Sequence, residues 1–144
     1  MYRDEEGNSS DIVWKKYSHR GIQPLDQIHF PRKQKRYIFS PTFEIRFNEA
    51  FEDVVRYCAD PTRDDEGRTW ISPDLLQGYL KLHRLGFAHS FEAWQAGKLV
   101  GGAFGVQIGG YISIEAMFHH VSNASKAAYG QALLRLRERG FEFV

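Results

Sequence analysis

Hydrophobic and polar positions along this chain change rhythm three times. Up to roughly Arg36 there is no period, and Gly7, Gly21, Pro24 and Pro31 interrupt a polar stretch. This predicts a polar arm, or the remnant of an N-terminal part, over residues 1–36, ahead of a globular core over residues 37–144. Phe43-Glu44-Ile45-Arg46-Phe47 then alternates apolar and charged side chains, the mark of a half-exposed strand. Asn48 predicts the N-cap of a helix ending near Ala59. Ser72-Pro73-Asp74 predicts a second helix start, with a cap, a first-turn proline and an acid at the positive dipole end. Its stripe is Leu76, Tyr79, Leu80 and His83, and Gly86 closes it. After Gly86 the period becomes two. Strands are predicted over 87–95, 99–107 and 111–118, joined by turns at Ala96-Gly97 and Gly109-Gly110, which makes an antiparallel meander. Ser122-Asn123 predicts the cap of a last helix to about Arg139, with Gly140 beyond it and a further strand beginning at Phe141.

Composition narrows this picture. Hydrophobic residues make up 42% of 144 residues, enough for one packed domain and against disorder. The net charge of +1 excludes a strongly basic nucleic-acid coat, though not a local basic patch such as Arg32-Lys33-Gln34-Lys35-Arg36. A lone Cys58 excludes an intrachain disulfide framework and reads as a small buried hydrophobe. No apolar run is long enough to cross a membrane, and the polar start lacks the apolar segment of a signal peptide; a cytoplasmic location is expected.

The third meander strand carries the most chemistry. Simple alternation puts Ile112, Ile114, Ala116 and Phe118 on one face and Tyr111, Ser113, Glu115 and Met117 on the other. Glu115 then sits mid-strand, where an unpaired charge is costly, so it is either a half-exposed strand carboxylate or a pocket acid. Trp70 is either a plug beneath its loop or a platform for a base. The glycines at 101, 102 and 105 spell no nucleotide loop and imply close approach of a neighbour or a ligand. No pair of histidines has helical ligand spacing, so no metal site is expected.

Glu66-Gly67-Arg68-Thr69-Trp70-Ile71, followed by His83-Arg84-Leu85-Gly86-Phe87-Ala88-His89-Ser90-Phe91-Glu92-Ala93-Trp94, resembles the central stretch of leucyl/phenylalanyl-tRNA–protein transferases. So do Leu99 to Val106, Glu115-Ala116-Met117-Phe118 and Ser122-Asn123-Ala124-Ser125-Lys126. The blocks run in order from about Phe39 to Val144. The resemblance implies an α+β fold like that of the GNAT acyltransferases, a mixed, largely antiparallel sheet with flanking helices, incomplete at the C-terminus. It implies transfer of Leu or Phe from aminoacyl-tRNA to the N-terminal amine of proteins beginning with Arg or Lys, creating a signal for degradation. Such aminolysis of an ester requires no cofactor and no metal, and the implied partners include neither membrane nor DNA.

By position, the resemblance makes Glu115 the catalytic carboxylate that orients the attacking amine and helps relay its proton. It makes Trp70 the ring against the terminal adenosine. Met117, Ala103, Ile112 and Ile114 fall around the pocket for the Leu or Phe side chain, and Arg32, Lys33, Lys35 and Arg36 are the candidates for gripping the tRNA. The chain departs from the family pattern in three ways. An Asp-x-Gln segment expected just past Val144 is not in the sequence, the aromatic-rich N-terminal part is shortened to a faint likeness over Trp14 to Asp26, and at Ala103 and Ile114 the usual larger residue and glycine are replaced. Two other readings are a catalytically inactive remnant that binds tRNA and an acyl-CoA-dependent N-acyltransferase. The latter needs a glycine-rich pyrophosphate cradle where this chain has His119-His120-Val121-Ser122-Asn123-Ala124.

Overall fold

A computed structural model describes residues 16–63, 67 and 69–144. Four strands, β1 (Glu44–Phe47), β2 (Ala88–Gln95), β3 (Lys98–Ile108) and β4 (Tyr111–His119), form one sheet in chain order, each antiparallel to the next. Helices α1 (Arg32–Ile38), α2 (Phe51–Cys58), α3 (Pro73–Arg84) and α4 (Ala124–Glu138) flank it. The fold is therefore α+β, as expected. Among the described residues a parallel pairing enters only near the last of them, where Phe143 bridges Tyr111 in parallel and Pro24 in antiparallel sense.

The turn chemistry behaves as its residues dictate. Ala96 and Gly97 both have positive φ, 50° and 73°, the paired left-handed geometry that matches strand twist in a two-residue hairpin. At α3 the Ser72 hydroxyl accepts from the Leu75 N–H at 3.3 Å, and Gly86 leaves the helix with φ 82°.

The sheet separates two apolar layers. On one side α4 lays Ala124, Ala128, Ala132, Leu133 and Leu136 against Phe91, Ala103 and Ile112. On the other, Phe51, Val54 and Val55 of α2 and Leu75, Tyr79 and Leu80 of α3 pack on Phe104 and Phe118. The β3 glycines serve this close packing. A Cβ on Gly101 would stand 2.5 Å from the Ala124 Cβ and 2.7 Å from the Ser125 nitrogen, so the first turn of α4 rests directly on the strand. The close approach is thus made by a neighbour.

Three local expectations change. Asn48 does not cap α2: it lies at φ 61°, its side-chain oxygen accepts from the Ser90 N–H at 2.9 Å, and Ala50 stands at the N-cap. Arg32 to Arg36, expected as the end of an irregular arm, belong to helix α1, which runs across the expected boundary at residue 36, and Ile38 is buried against α4. Leu25, in the same expected arm, is wholly buried in the α4-side layer. Burial of two apolar side chains organised this stretch, although they are too widely spaced to set up a period. The acidic start and Trp14 lie outside the described residues.

Candidate active site

The pairing of β3 with β4 slips by one residue at Glu115. Ala103 faces Met117 and Phe104 faces Ala116, but Gly105 faces Ile114, leaving Glu115 without a partner in a β-bulge. The slip breaks the simple alternation expected for this strand. Ile112, Ile114 and Met117 pack with the α4-side layer, whereas Ala116 and Phe118 pack with the α2–α3 side. Both layers are apolar, so the sequence pattern conceals where the phase changes.

The Glu115 carboxylate is half-buried, and its Oε2 accepts from the Tyr79 hydroxyl of α3 at 3.3 Å. Burial, reinforced by the Glu115 charge, holds the Tyr79 phenol well above the usual tyrosine range. Tyr79 therefore remains a donor throughout the neutral range. Its ring stands edge-on to Phe104 at 4.9 Å and to Trp70 at 6.4 Å. Trp70 is half-buried and packs against the α2–α3 layer, so Glu115, Tyr79 and Trp70 form one neighbourhood.

The four apolar candidates also come together, on the other face. Ala103 and Ile112 are fully buried beneath α4, while Ile114 and Met117 are half-buried against the same layer. The edge of β4 is held from outside by Arg63. This guanidinium donates to the Met117 carbonyl at 2.8 Å and, at 3.2 and 3.3 Å, to the Tyr57 and Cys58 carbonyls that end α2. The four basic candidates, Arg32, Lys33, Lys35 and Arg36, lie on α1, all exposed and in no ion pair among the described residues. Glu66 and Arg68 of the block before Trp70 lie outside the described residues.

Two residues with a part in this architecture carried no sequence signal of it. Tyr79 read as one more member of a helical stripe. Glu92 on β2 has no exposed surface, yet its Oε1 accepts from the Glu49 and Ala50 N–H groups at 3.0 and 2.8 Å and from the Ser90 hydroxyl at 2.7 Å. Its Oε2 accepts from the Trp94 indole at 3.1 Å. It moors the start of α2 to the sheet. Its backbone donors come from more than 40 residues away, beyond the reach of any local pattern.

The site thus joins a bulged strand glutamate to a helix tyrosine, with a tryptophan at the tyrosine's edge. A model of the leucyl/phenylalanyl-tRNA protein transferase family matches residues 22–144. The chain belongs to this family. A leucyl/phenylalanyl-tRNA–protein transferase of Nitratidesulfovibrio vulgaris is 43% identical over 138 residues, covering 96% of this chain and 59% of the relative. One of Gloeobacter violaceus is 43% identical over 136 residues, covering 94% of this chain and 68% of the relative. One of Chlorobaculum parvum is 40% identical over 139 residues, covering 96% and 71%. The chain thus spans 59% of the length of the first of these relatives. No helix among the described residues is long and apolar enough to cross a membrane.

Proposed function

We propose that this chain provides the amine-activating half of an aminoacyl transfer: Leu or Phe passes from the terminal adenosine of an aminoacyl-tRNA to the N-terminal amine of a protein beginning with Arg or Lys. The observation that carries this reading is the Glu115–Tyr79 hydrogen bond at the β4 bulge, within a chain of this family. The bulge turns one carboxylate out of the strand's alternation, and Tyr79 fixes its orientation. The amine nitrogen attacks the ester carbonyl carbon, the bond to the ribose oxygen breaks, and the amine gives up one proton while that oxygen gains one. Glu115 orients the amine and helps carry its proton. Trp70 offers a ring face to the adenine. Ile114 and Met117, which stand on either side of Glu115 along β4 and stay partly exposed, are the apolar candidates within reach of the Leu or Phe side chain, whereas Ala103 and Ile112 lie sealed under α4 and only back that wall. An apolar wall of this kind discriminates against charged side chains strongly but separates residues one methylene apart by only ~1–3 kcal/mol. The cations of α1 hold tRNA phosphates. The reaction is placed in the cytoplasm, and the acceptors it marks are bound for degradation.

The test is transfer of labelled phenylalanine from Phe-tRNA to a peptide beginning with Arg, with Glu115→Gln run alongside. Transfer that collapses in the variant supports the reading. Equal transfer by both proteins overturns the role of Glu115, and no transfer from folded protein overturns the activity of this chain.

A further inference from the structure

Helix α1 sits on α4 because Gly130 has no side chain. A Cβ there would stand 2.6 Å from the Ile38 side chain. The Gln131 amide also donates to the Ile38 carbonyl at 2.7 Å, pinning the end of α1. Beside this contact lies a groove of about 530 Å³. Ile38 and Gly130 make its floor, Phe30, Tyr37 and Tyr129 supply aromatic walls, and Gln34 and Lys126 stand among its exposed lining. No described residue lining it is acidic. Its volume falls within the ~300–1,000 Å³ range of small-molecule sites. On α1 the groove takes Gln34, Tyr37 and Ile38, while helical spacing turns Arg32 and Arg36 to the opposite side.

We propose that the α1–α4 groove is a nucleobase pocket, which receives one unstacked base of an RNA whose phosphates lie along the cations of α1. The chemistry of the lining selects this occupant. Aromatic walls stack on the face of any base, an amide such as Gln34 pairs with a base edge, and a lysine at the mouth meets phosphate. An acidic peptide would satisfy the cations but leave the aromatic walls without a planar partner. The groove shares no lining residue with the Glu115, Tyr79 and Trp70 neighbourhood, so it engages a nucleotide other than the terminal adenosine. This inference rests on the reading of α1 as the RNA-facing helix.

The experiment measures binding of the full chain to uncharged tRNA, to a short single-stranded RNA and to an abasic sugar-phosphate strand of the same length, each across a salt series. Tyr129→Leu keeps an apolar wall but removes the ring. Gln34→Ala alters an exposed side chain and leaves the packing intact. Both are expected to weaken tRNA and RNA binding by about tenfold while leaving the salt slope and the abasic strand unchanged. The double variant Arg32→Ala/Arg36→Ala is expected to flatten the salt slope for all three ligands. If the cation variant loses binding while the groove variants match the parent, the pocket is overturned and the reading of α1 stands. If the groove variants weaken the abasic strand equally, the groove binds backbone and the base pocket is overturned. If the cation variant also binds like the parent, both fall together.

Discussion

Tyr79 holds Glu115 from a different layer of the protein: the hydroxyl of a helix residue meets the carboxylate of a bulged strand residue at 3.3 Å. The contact gives the carboxylate a fixed direction that the strand edge alone would not provide. A hydrogen bond to a charged group contributes ~1.5–3 kcal/mol. Tyr79→Phe keeps the ring against Phe104 and Trp70 and removes only the donor. In the phenylalanine-transfer assay kcat is expected to fall about tenfold, with KM for the aminoacyl-tRNA unchanged and the melting temperature close to that of the parent. An equal fall in affinity for the tRNA would show that Tyr79 acts on binding instead.

Among the described residues, Glu92 is the charged side chain that is fully buried. Three donors converge on one of its oxygens and one on the other. Glu92→Gln can serve the three-donor side with its carbonyl only by turning an NH₂ toward the Trp94 indole N–H, so two donors collide. A loss of about 2–4 kcal/mol is expected, from the weakened charge-assisted bonds and the unpaired donor. Chemical denaturation of the two proteins measures it, and a difference below about 1 kcal/mol would show that the mooring of α2 is held by packing alone.

Gly101 gives a purely steric test. An alanine methyl there meets the Ala124 side chain and the backbone of Ser125, neither of which can swing aside. Overpacking of this kind costs ~1–3 kcal/mol. For Gly101→Ala a drop in melting temperature of roughly 5 °C is expected. Gly78 is a suitable control, because a Cβ added there meets nothing within 4 Å. Gly78→Ala is expected to be neutral or stabilising, since alanine favours a helix interior over glycine.

Cys58 makes a prediction about alkali. Burial pushes its thiol up to about 12, partly opposed by nearby Arg63. From an unfolded value of 9.0, the folded state holds its proton longer. The stability linked to it is fully present below pH 9 and drains away as pH rises toward 12. Cys58→Ala is expected to flatten the alkaline limb of the stability profile. Alkylation of the native protein at pH 8 is expected to be slow and to track global unfolding. Rapid labelling of folded protein would contradict this.

The elements with strong local chemistry were legible in the sequence. Ser72-Pro73 and Gly86 delimit α3, and Ala96-Gly97 turns the hairpin, because each acts through its own backbone preference or a neighbour three residues away. What escaped depended on distance in the chain. Asn48 is a good capping residue in isolation, but Ser90 on the adjacent strand claims its oxygen. Helix α1 is polar on most of its surface and owes its place to Ile38 meeting Gly130. The candidates Glu115 and Trp70 do share a neighbourhood, yet the residue that joins them, Tyr79, was indistinguishable from an ordinary core aromatic. Ala103, Ile112, Ile114 and Met117 likewise cluster, on the face opposite the one alternation assigned to Ile112 and Ile114 relative to Phe118.

The bulge means that Glu115 is supernumerary to the sheet. Strike it out, and Ile114 and Ala116 become neighbours that still face Gly105 and Phe104. Every remaining side chain of β4 then keeps both its partner and its layer, in unbroken alternation. Deletion of Glu115 is therefore expected to leave a folded protein with an intact β4, where loss of either flanking residue would also straighten the strand but would draw the Glu115 carboxylate into an apolar layer in its place. The scaffold can be written without this carboxylate, which sits in the fold as an insertion, free to change without renegotiating the architecture around it.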